Sequence, residues 1–541
     1  MKIMLYSDPL YENTLKCNTS DKIYLFQQYY IPSDEVRYHE VRDTLYKNIM
    51  NDNIDMIYLL NEKIYDYRDP LLSHPKVKQI HISTRLTFQN VMEYVRKNNI
   101  KGYVIIANAD IFFDETLYNI RHSELCTSYK KMITQLRFEY NGNCATSPIF
   151  GPRIDSQDTW MFHTNEFITQ DQEVVFNFEL GTPACDNKMI YLLKVLGYTI
   201  INDPLKIKTY HNHKSLRRNY PASLKLPYGY ITPYGFPDMN PSLGPDFAKI
   251  LRSLQDISFD DNSVLYKYLV TKCVQNEKFI IPRIAGVENN VVFAAQNNIN
   301  YDALLFHMKN NAGIAFDDWK SVESYSVQYL KAFENSDLFC CWELQGNYIN
   351  HITQSHAYIM NSFPGKKHIW AYALDIFHYI HSNPWTRSLS GKRILIISPF
   401  VETMKKQVPH LNKIYNIDLF PQCTFVFIQP PQKQGKETSL DFHEELRLFY
   451  LELDKEKDNY DIALVSSGGN GNIICNYIFE QHNKSAIYVG GVLQMYFGIL
   501  GNRWIIERNE IMHLYYNEYW VRPDNMERPL GYETIENSCY W

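Results

Sequence analysis

Two periodicities alternate along this 541-residue chain. Short apolar, β-branched runs at KIYLF (22–26), DMIYLL (55–60), VKQIHI (77–82) and GYVIIAN (102–108) read as strands. Between them, EVRDTLYKNIM (40–50) and LTFQNVMEYVRKNN (86–99) place apolar residues at helical spacing. The order is β-α-β-β-α-β with polar residues at the strand ends. In an open parallel sheet ligands bind beside the carboxyl ends of the strands, so those polar positions are where chemistry is expected.

The stretch LKLPYGYITPYGFPDMNPSLGP (224–245) is crowded with Pro, Gly and Tyr and continues neither pattern. It predicts a boundary, giving a first domain over 1–235, a linker over 236–261 and a second domain over 262–541. The second domain opens with KFIIPRIAG (278–286), a strand running into a turn. After a helix-rich middle, RILIISPF (393–400), CTFVFIQPP (423–431), YDIALVSSGG (460–469) and KSAIYVGG (484–491) are strands at crossover spacing. The predicted fold class is α/β, with two Rossmann-like domains built on parallel or mixed sheets.

Composition narrows the function. With 45% hydrophobic residues the chain has material for several cores, which excludes a mainly disordered protein. A net charge of −6 and no long Lys/Arg run make a poor phosphate-backbone binder, so nucleic acid is not an expected partner. No apolar window is long enough for a membrane span, and the start MKIMLYSDPLYENTLK lacks a signal-peptide core. Ten cysteines without a CxxC read as reduced thiols, and a cytoplasmic protein is expected.

The strand at 102–108 runs into Asn108-Ala109-Asp110, whose side chains at 108 and 110 share one side of an extended chain. Oxygen ligands of this kind suit Mg²⁺ or Mn²⁺ bridged to phosphate. A strand-to-helix turn capped by Asp110 or Asp114 is the plainer alternative. Downstream, Asp186 precedes the apolar run KMIYLLKVLG, where a helix N-cap would also explain it. His211 and His213 follow as an H-x-H. The cluster Arg153-Ile154-Asp155-Ser156-Gln157-Asp158-Thr159-Trp160 combines acids, an amide and an indole. Asp155, Asp158 and Trp160 suit a sugar-binding loop, or else a polar loop anchored by a buried Trp.

Over roughly residues 20–225 this order resembles the GT-A-fold nucleotide-sugar glycosyltransferases. Asn108-Ala109-Asp110 is similar to their DxD motif, with Asn108 in place of the first Asp. The resemblance implies that Asp110 and His211 hold a divalent metal and that Asp186 activates the acceptor. It further implies that Glu62, ending the second strand, contacts the base and that Arg85 faces the nucleotide. A base-assisted single displacement would invert the anomeric carbon.

In the second half, Arg283, Gly286 and Glu288 could meet an anion and a metal, or form a turn with a surface ion pair. Ser466-Ser467-Gly468-Gly469-Asn470-Gly471 opens a helix, where backbone N–H groups favour an anion. Together with GKRILIISPF, Gln407 and GGVLQ-x-x-FGI-x-G-x-RW, these segments resemble the GT-D-type glycosyltransferase domain over roughly 262–510. That family closes its first segment with Asp-x-Glu. Here Gly286-Val287-Glu288 stands in that place, so the implied metal and catalytic acid is Glu288 alone, beside nucleotide contacts at Arg283, Gly468 and Gly469.

The resulting expectation is a glycosyltransferase of glycan biosynthesis, bifunctional, using a UDP-, GDP- or dTDP-sugar with Mn²⁺ or Mg²⁺ and a glycan or glycoconjugate acceptor. A single active amino-terminal transferase with a binding module behind it is the first alternative. A metal-dependent nucleotidyltransferase, or a related phosphodiester hydrolase, is the second.

Overall fold

The computed structural model describes residues 20–126, 130–150, 156–165, 167–215, 261–342, 353–378, 380 and 384–541. The chain divides into two compact units, Met1–Phe259 and Asp260–Trp541. Both are α/β. The Pro/Gly/Tyr-rich stretch at 224–245, Arg153 and Asp155 lie outside the described residues.

Among the described residues, ten strands build the amino-terminal unit: β1 (Ile23–Gln27), β2 (Met56–Asn61), β3 (Val77–His81), β4 (Tyr103–Ala107), β5 (Ile111–Phe113), β6 (Lys131–Gln135), β7 (Phe138–Glu139), β8 (Thr159–His163), β9 (Thr199–Ile201) and β10 (Thr209–His211). The main sheet has the order β3-β2-β1-β4-β8-β6-β9. Its first four strands are parallel, as the sequence predicts, and β8 then runs antiparallel to both β4 and β6. Every residue of β4 is buried, as a parallel strand covered on both faces requires. A second small sheet, β5-β10-β7, crosses the carboxyl end of β4.

Three helices position the site. Helix α1 (Glu35–Met50) is N-capped by Asp34, whose side chain accepts from the Arg37 N–H. Helix α2 (Phe88–Lys97) starts at a Thr87–Asn90 capping box. Helix α3 (Cys185–Val195) begins earlier than expected, so Asp186 lies inside its first turn rather than at the N-cap. The N-cap is Ala184, at a left-handed φ of 70° that a residue with a Cβ rarely adopts.

His163, closing β8, accepts the Asn165 N–H at Nδ1 (3.2 Å) and lies 3.0 Å from Asp21 through Nε2. Burial lowers its pKa from 6.5, with Asp21 pulling upward. Protonating Nδ1 would turn an acceptor into a donor facing a backbone N–H. A lowered histidine pKa gives stability that is present above 6.5 and is lost as pH falls through the folded-state value. In urea denaturation the wild type is expected to lose more stability between about pH 7.5 and about pH 5.5 than His163→Gln. Equal losses would remove His163 from the acid response.

The carboxy-terminal unit contains β11 (Ile280–Ile281), β12 (Leu338–Cys341), β13 (Lys367–Trp370), β14 (Arg393–Ile397), β15 (Thr424–Ile428), β16 (Ile462–Val465) and β17 (Ser485–Tyr488). Five of these form a fully parallel sheet in the order β11-β17-β16-β14-β15. Strand β11 is shorter than the predicted 278–286 because Pro282 has no N–H to continue the ladder. The chain beyond it pairs instead with β12, through Cys340 N–H to Pro282 O and Ile284 N–H to Cys340 O. Helices α4 (Gly286–Gln296), α5 (Trp319–Glu334), α6 (Phe442–Leu453) and α7 (Gly471–Gln481) pack the apolar face of this sheet around Val292, Tyr325, Phe449 and Ile474. Among the described residues no helix is long and apolar enough to cross a membrane.

Candidate active sites

In the amino-terminal unit the β4–β5 turn is tied from below. Gln27 Nε2 donates to the carbonyls of Asn108 (2.7 Å) and Ile111 (3.0 Å), and Asn48 Nδ2 donates to Ile111 O (2.9 Å). The turn projects Asp110 beneath β10. Asp110 O accepts the Asn212 N–H (2.8 Å), which sets His211 and His213 on either side of the carboxylate. Asp110 Oδ2 lies 3.3 Å from His211 Nε2, 3.4 Å from His213 Nδ1 and 2.5 Å from Arg37 Nη2.

Burial opposes the Asp110 charge, but the neighbouring His211, His213 and Arg37 hold its pKa well below the carboxylate range. Burial likewise works against a His211 cation, yet Asp110 and Glu139 push its pKa up to about 9. Glu139 Oε2 sits 2.9 Å from His211 Nδ1. Against its own burial, its partners His211 and Arg137 hold Glu139 at about 2. This carboxylate–histidine relay orients the ring and turns Nε2 toward Asp110.

Asp110, His211 and His213 place their ligand atoms within 4.8 Å of one another. His213 Nε2 is buried and has no hydrogen-bond partner. Two imidazoles and a carboxylate are a donor set for a first-row divalent transition metal, Mn²⁺ included, rather than for Mg²⁺, whose ligands are oxygens. Arg37 is the competing charge, held in place by Glu40 (3.0 Å) and the Tyr30 hydroxyl (3.2 Å).

The other expected residues distribute around this centre. Asn108 Nδ2 donates to Asp158 Oδ1 (2.7 Å), and the other Asp158 oxygen pairs with Arg137. Asp158 thus anchors Asn108, a contact its loop assignment did not foresee. Asp186 is half-buried, with Oδ2 accepting the Gln157 N–H (3.2 Å) and Oδ1 the Asn187 N–H (3.0 Å). Arg85 lies 3.7 Å from Glu179, and the left-handed Gly181 lets the chain pass between Arg85 and Asn108. Glu62 is exposed beyond β2, which flanks β1 on the side opposite β4.

Trp160 corrects the expectation of a sugar-stacking face. It is fully buried in β8, packed edge-on against Phe88 at 4.7 Å between ring centroids. An indole on the central sheet has no face left for a ligand. Arg37, Arg137, Glu139 and Glu179 were not singled out from the sequence. His213 was noticed only as half of the H-x-H.

The carboxy-terminal unit carries a cavity of about 300 Å³ beyond the carboxyl ends of β11, β14, β16 and β17. Arg283, Glu288, Ser467, Gly468, Arg503 and Tyr540 are among its lining residues. Glu288 is buried in the first turn of α4, and burial raises its pKa, with Arg283 opposing the shift. Gly468 lines the cavity, whereas Gly469 packs against Ala312 and Ile314. Gln407 is a clamp on the backbone, donating to Phe497 O (3.0 Å) and Tyr519 O (2.7 Å). Arg503, within the long motif, had not been singled out as a site residue.

No protein-family model matches the chain. No curated protein matches it either. Among solved structures, the mannosyltransferase PcManGT from Pyrobaculum calidifontis, in complex with GDP-Man and Mn²⁺, aligns at 11% identity and a TM-score of 0.26 over 45% of this chain and 65% of that one. S. aureus TarS 1–349, in complex with UDP-GlcNAc, aligns at 11% identity and a TM-score of 0.27 over 36% of this chain and 60% of that one. A 4-diphosphocytidyl-2C-methyl-D-erythritol synthase aligns at 11% identity and a TM-score of 0.22 over 38% and 96%. The chain thus spans less than two thirds of the length of the first two structures.

Proposed function

We propose that this chain is a nucleotide-sugar glycosyltransferase whose amino-terminal unit carries out metal-assisted, inverting transfer to a glycan or glycoconjugate hydroxyl. The observation that carries the reading is the convergence of Asp110, His211 and His213 at the carboxyl end of a central strand. A cation bound by those three side chains would neutralise a departing diphosphate. Arg85 and Asn108 both flank Gly181, and Arg85 contributes further positive charge toward a nucleotide. Asp186 serves as general base. The acceptor oxygen bonds to the anomeric carbon as the bond to the diphosphate breaks, and the acceptor proton passes to the Asp186 carboxylate.

The test is nucleoside-diphosphate release from UDP-, GDP- and dTDP-sugars by the whole chain with Mn²⁺ or Mg²⁺. Asp186→Asn is expected to lower kcat by about 10²–10⁴-fold while donor affinity stays within a few-fold. Loss of donor binding with unchanged kcat would assign Asp186 to binding instead. Release of a sugar 1-phosphate or a nucleoside monophosphate in place of the nucleoside diphosphate would favour the nucleotidyltransferase reading and displace this one. The carboxy-terminal unit is proposed as a second nucleotide-sugar site, which makes the chain bifunctional. If turnover survives only at the Asp110 centre, that unit is a binding module.

A further inference from the structure

Resting on the reading of the carboxy-terminal cavity as a nucleotide site, we propose that it holds a nucleoside diphosphate through Arg283, Arg503 and the Ser467 hydroxyl, with guanidinium charge in place of a divalent cation. The donor set is the first support. Glu288 is the carboxylate expected to hold a metal, yet among the described residues the one group of three His, Cys, Asp or Glu ligands within reach of one another is Asp110, His211 and His213. Asp375, another cavity acid, is already engaged by Arg508 Nη1 at 2.7 Å.

The second support is how the arginines are presented. Arg283 donates from Nη1 to Val489 O (3.1 Å), and its buried Nε has no partner. Its guanidinium lies over the rings of Tyr488 (4.8 Å) and Trp342 (5.4 Å). Gly490, at φ +72°, makes room for it, because a Cβ there would collide with the guanidinium. Arg503 stands over the Tyr540 ring at 5.0 Å and keeps 30% of its side chain exposed. Planar guanidinium groups pair with phosphate oxygens through two parallel N–H donors. Aromatic walls beside them suit a nucleobase.

Two further features point to an anion. Ser467 is 6% exposed, lines the cavity and has no partner for its hydroxyl, immediately before the turn that opens α7. The Arg503 guanidinium is also occupied from within the chain, by the carboxylate of Glu536. Glu536, Asn537 and Ser538 hold consecutive left-handed φ values of 43°, 57° and 60°, a strained run that delivers this carboxylate. Glu536 stands where a phosphate oxygen would, and ligand binding displaces it.

The experiment is calorimetric titration of the whole chain with UDP, GDP and dTDP, in EDTA and in Mn²⁺. One binding event is expected to persist in EDTA, to persist in Asp110→Ala, and to weaken at least about tenfold in both Arg283→Ala and Arg503→Ala. Circular dichroism confirms that each variant is folded. Should Arg283→Ala misfold, the more exposed Arg503→Ala and the Ser467→Ala variant carry the test. Glu536→Gln is expected to tighten binding, because the ligand no longer displaces a carboxylate, and weaker binding there counts against the proposal. An event that needs Mn²⁺ and is lost in Glu288→Gln overturns the arginine assignment while leaving a nucleotide site in place. No event beyond the Asp110 centre in either buffer overturns both.

Discussion

Asp110→Asn is expected to lower sugar-donor turnover at the amino-terminal centre by at least about a thousandfold, equivalent to roughly 4 kcal/mol of transition-state stabilisation. The substitution keeps the shape of the side chain and removes the one formal negative charge that faces His211, His213 and Arg37 together. Stabilisation by Mn²⁺ in thermal unfolding should disappear with it. Because Asp110 also pairs with Arg37, part of any loss could come from folding, which circular dichroism and the Mn²⁺-free unfolding curve measure separately. An Asp110→Asn protein that folds, turns over donor within tenfold of wild type and retains the Mn²⁺ shift would place the chemistry elsewhere.

Arg508→Ala is expected to destabilise the carboxy-terminal unit by about 3–5 kcal/mol. Arg508 and Asp375 are both buried, with 6% side-chain exposure each, and their 2.7 Å contact compensates two desolvated charges. Asp375 also accepts the Phe377 N–H at 3.0 Å, so its carboxylate is fixed in place when the arginine is removed. Replacing both partners by apolar residues, Arg508→Met with Asp375→Leu, should recover much of the loss. Hydrogen exchange in β14 and β16 reads this unit without interference from the other. A single variant with unchanged exchange would show that the ion pair contributes little.

The parallel strands were legible because a strand covered on both faces must be apolar throughout, as in Tyr103–Ala107 and Arg393–Ile397 apart from its exposed first residue. The elements that assemble the site were not. Strands β5, β7 and β10 have two or three residues, too few for a period of two to register, and they bring Glu139 to His211 across 72 positions. Arg37 lies on the helix after β1 and meets Asp110 through topology alone. Asp110 and His211 could be singled out because strand ends and an H-x-H stand out locally. Trp160 misled for a physical reason: an indole beside acids suits a sugar face, and it suits a buried strand equally well. The interior place of β8, between β4 and β6, decides between the two.

The tie beneath the β4–β5 turn bears on binding as well as shape. Gln27 reaches both carbonyls from within the sheet, and Asn48 grips the same turn from α1, using protein groups alone. The ordering entropy of the Asn108–Asp110 edge is therefore settled when the domain folds. An arriving ligand meets a finished edge at these residues, and its binding carries no ordering cost for them.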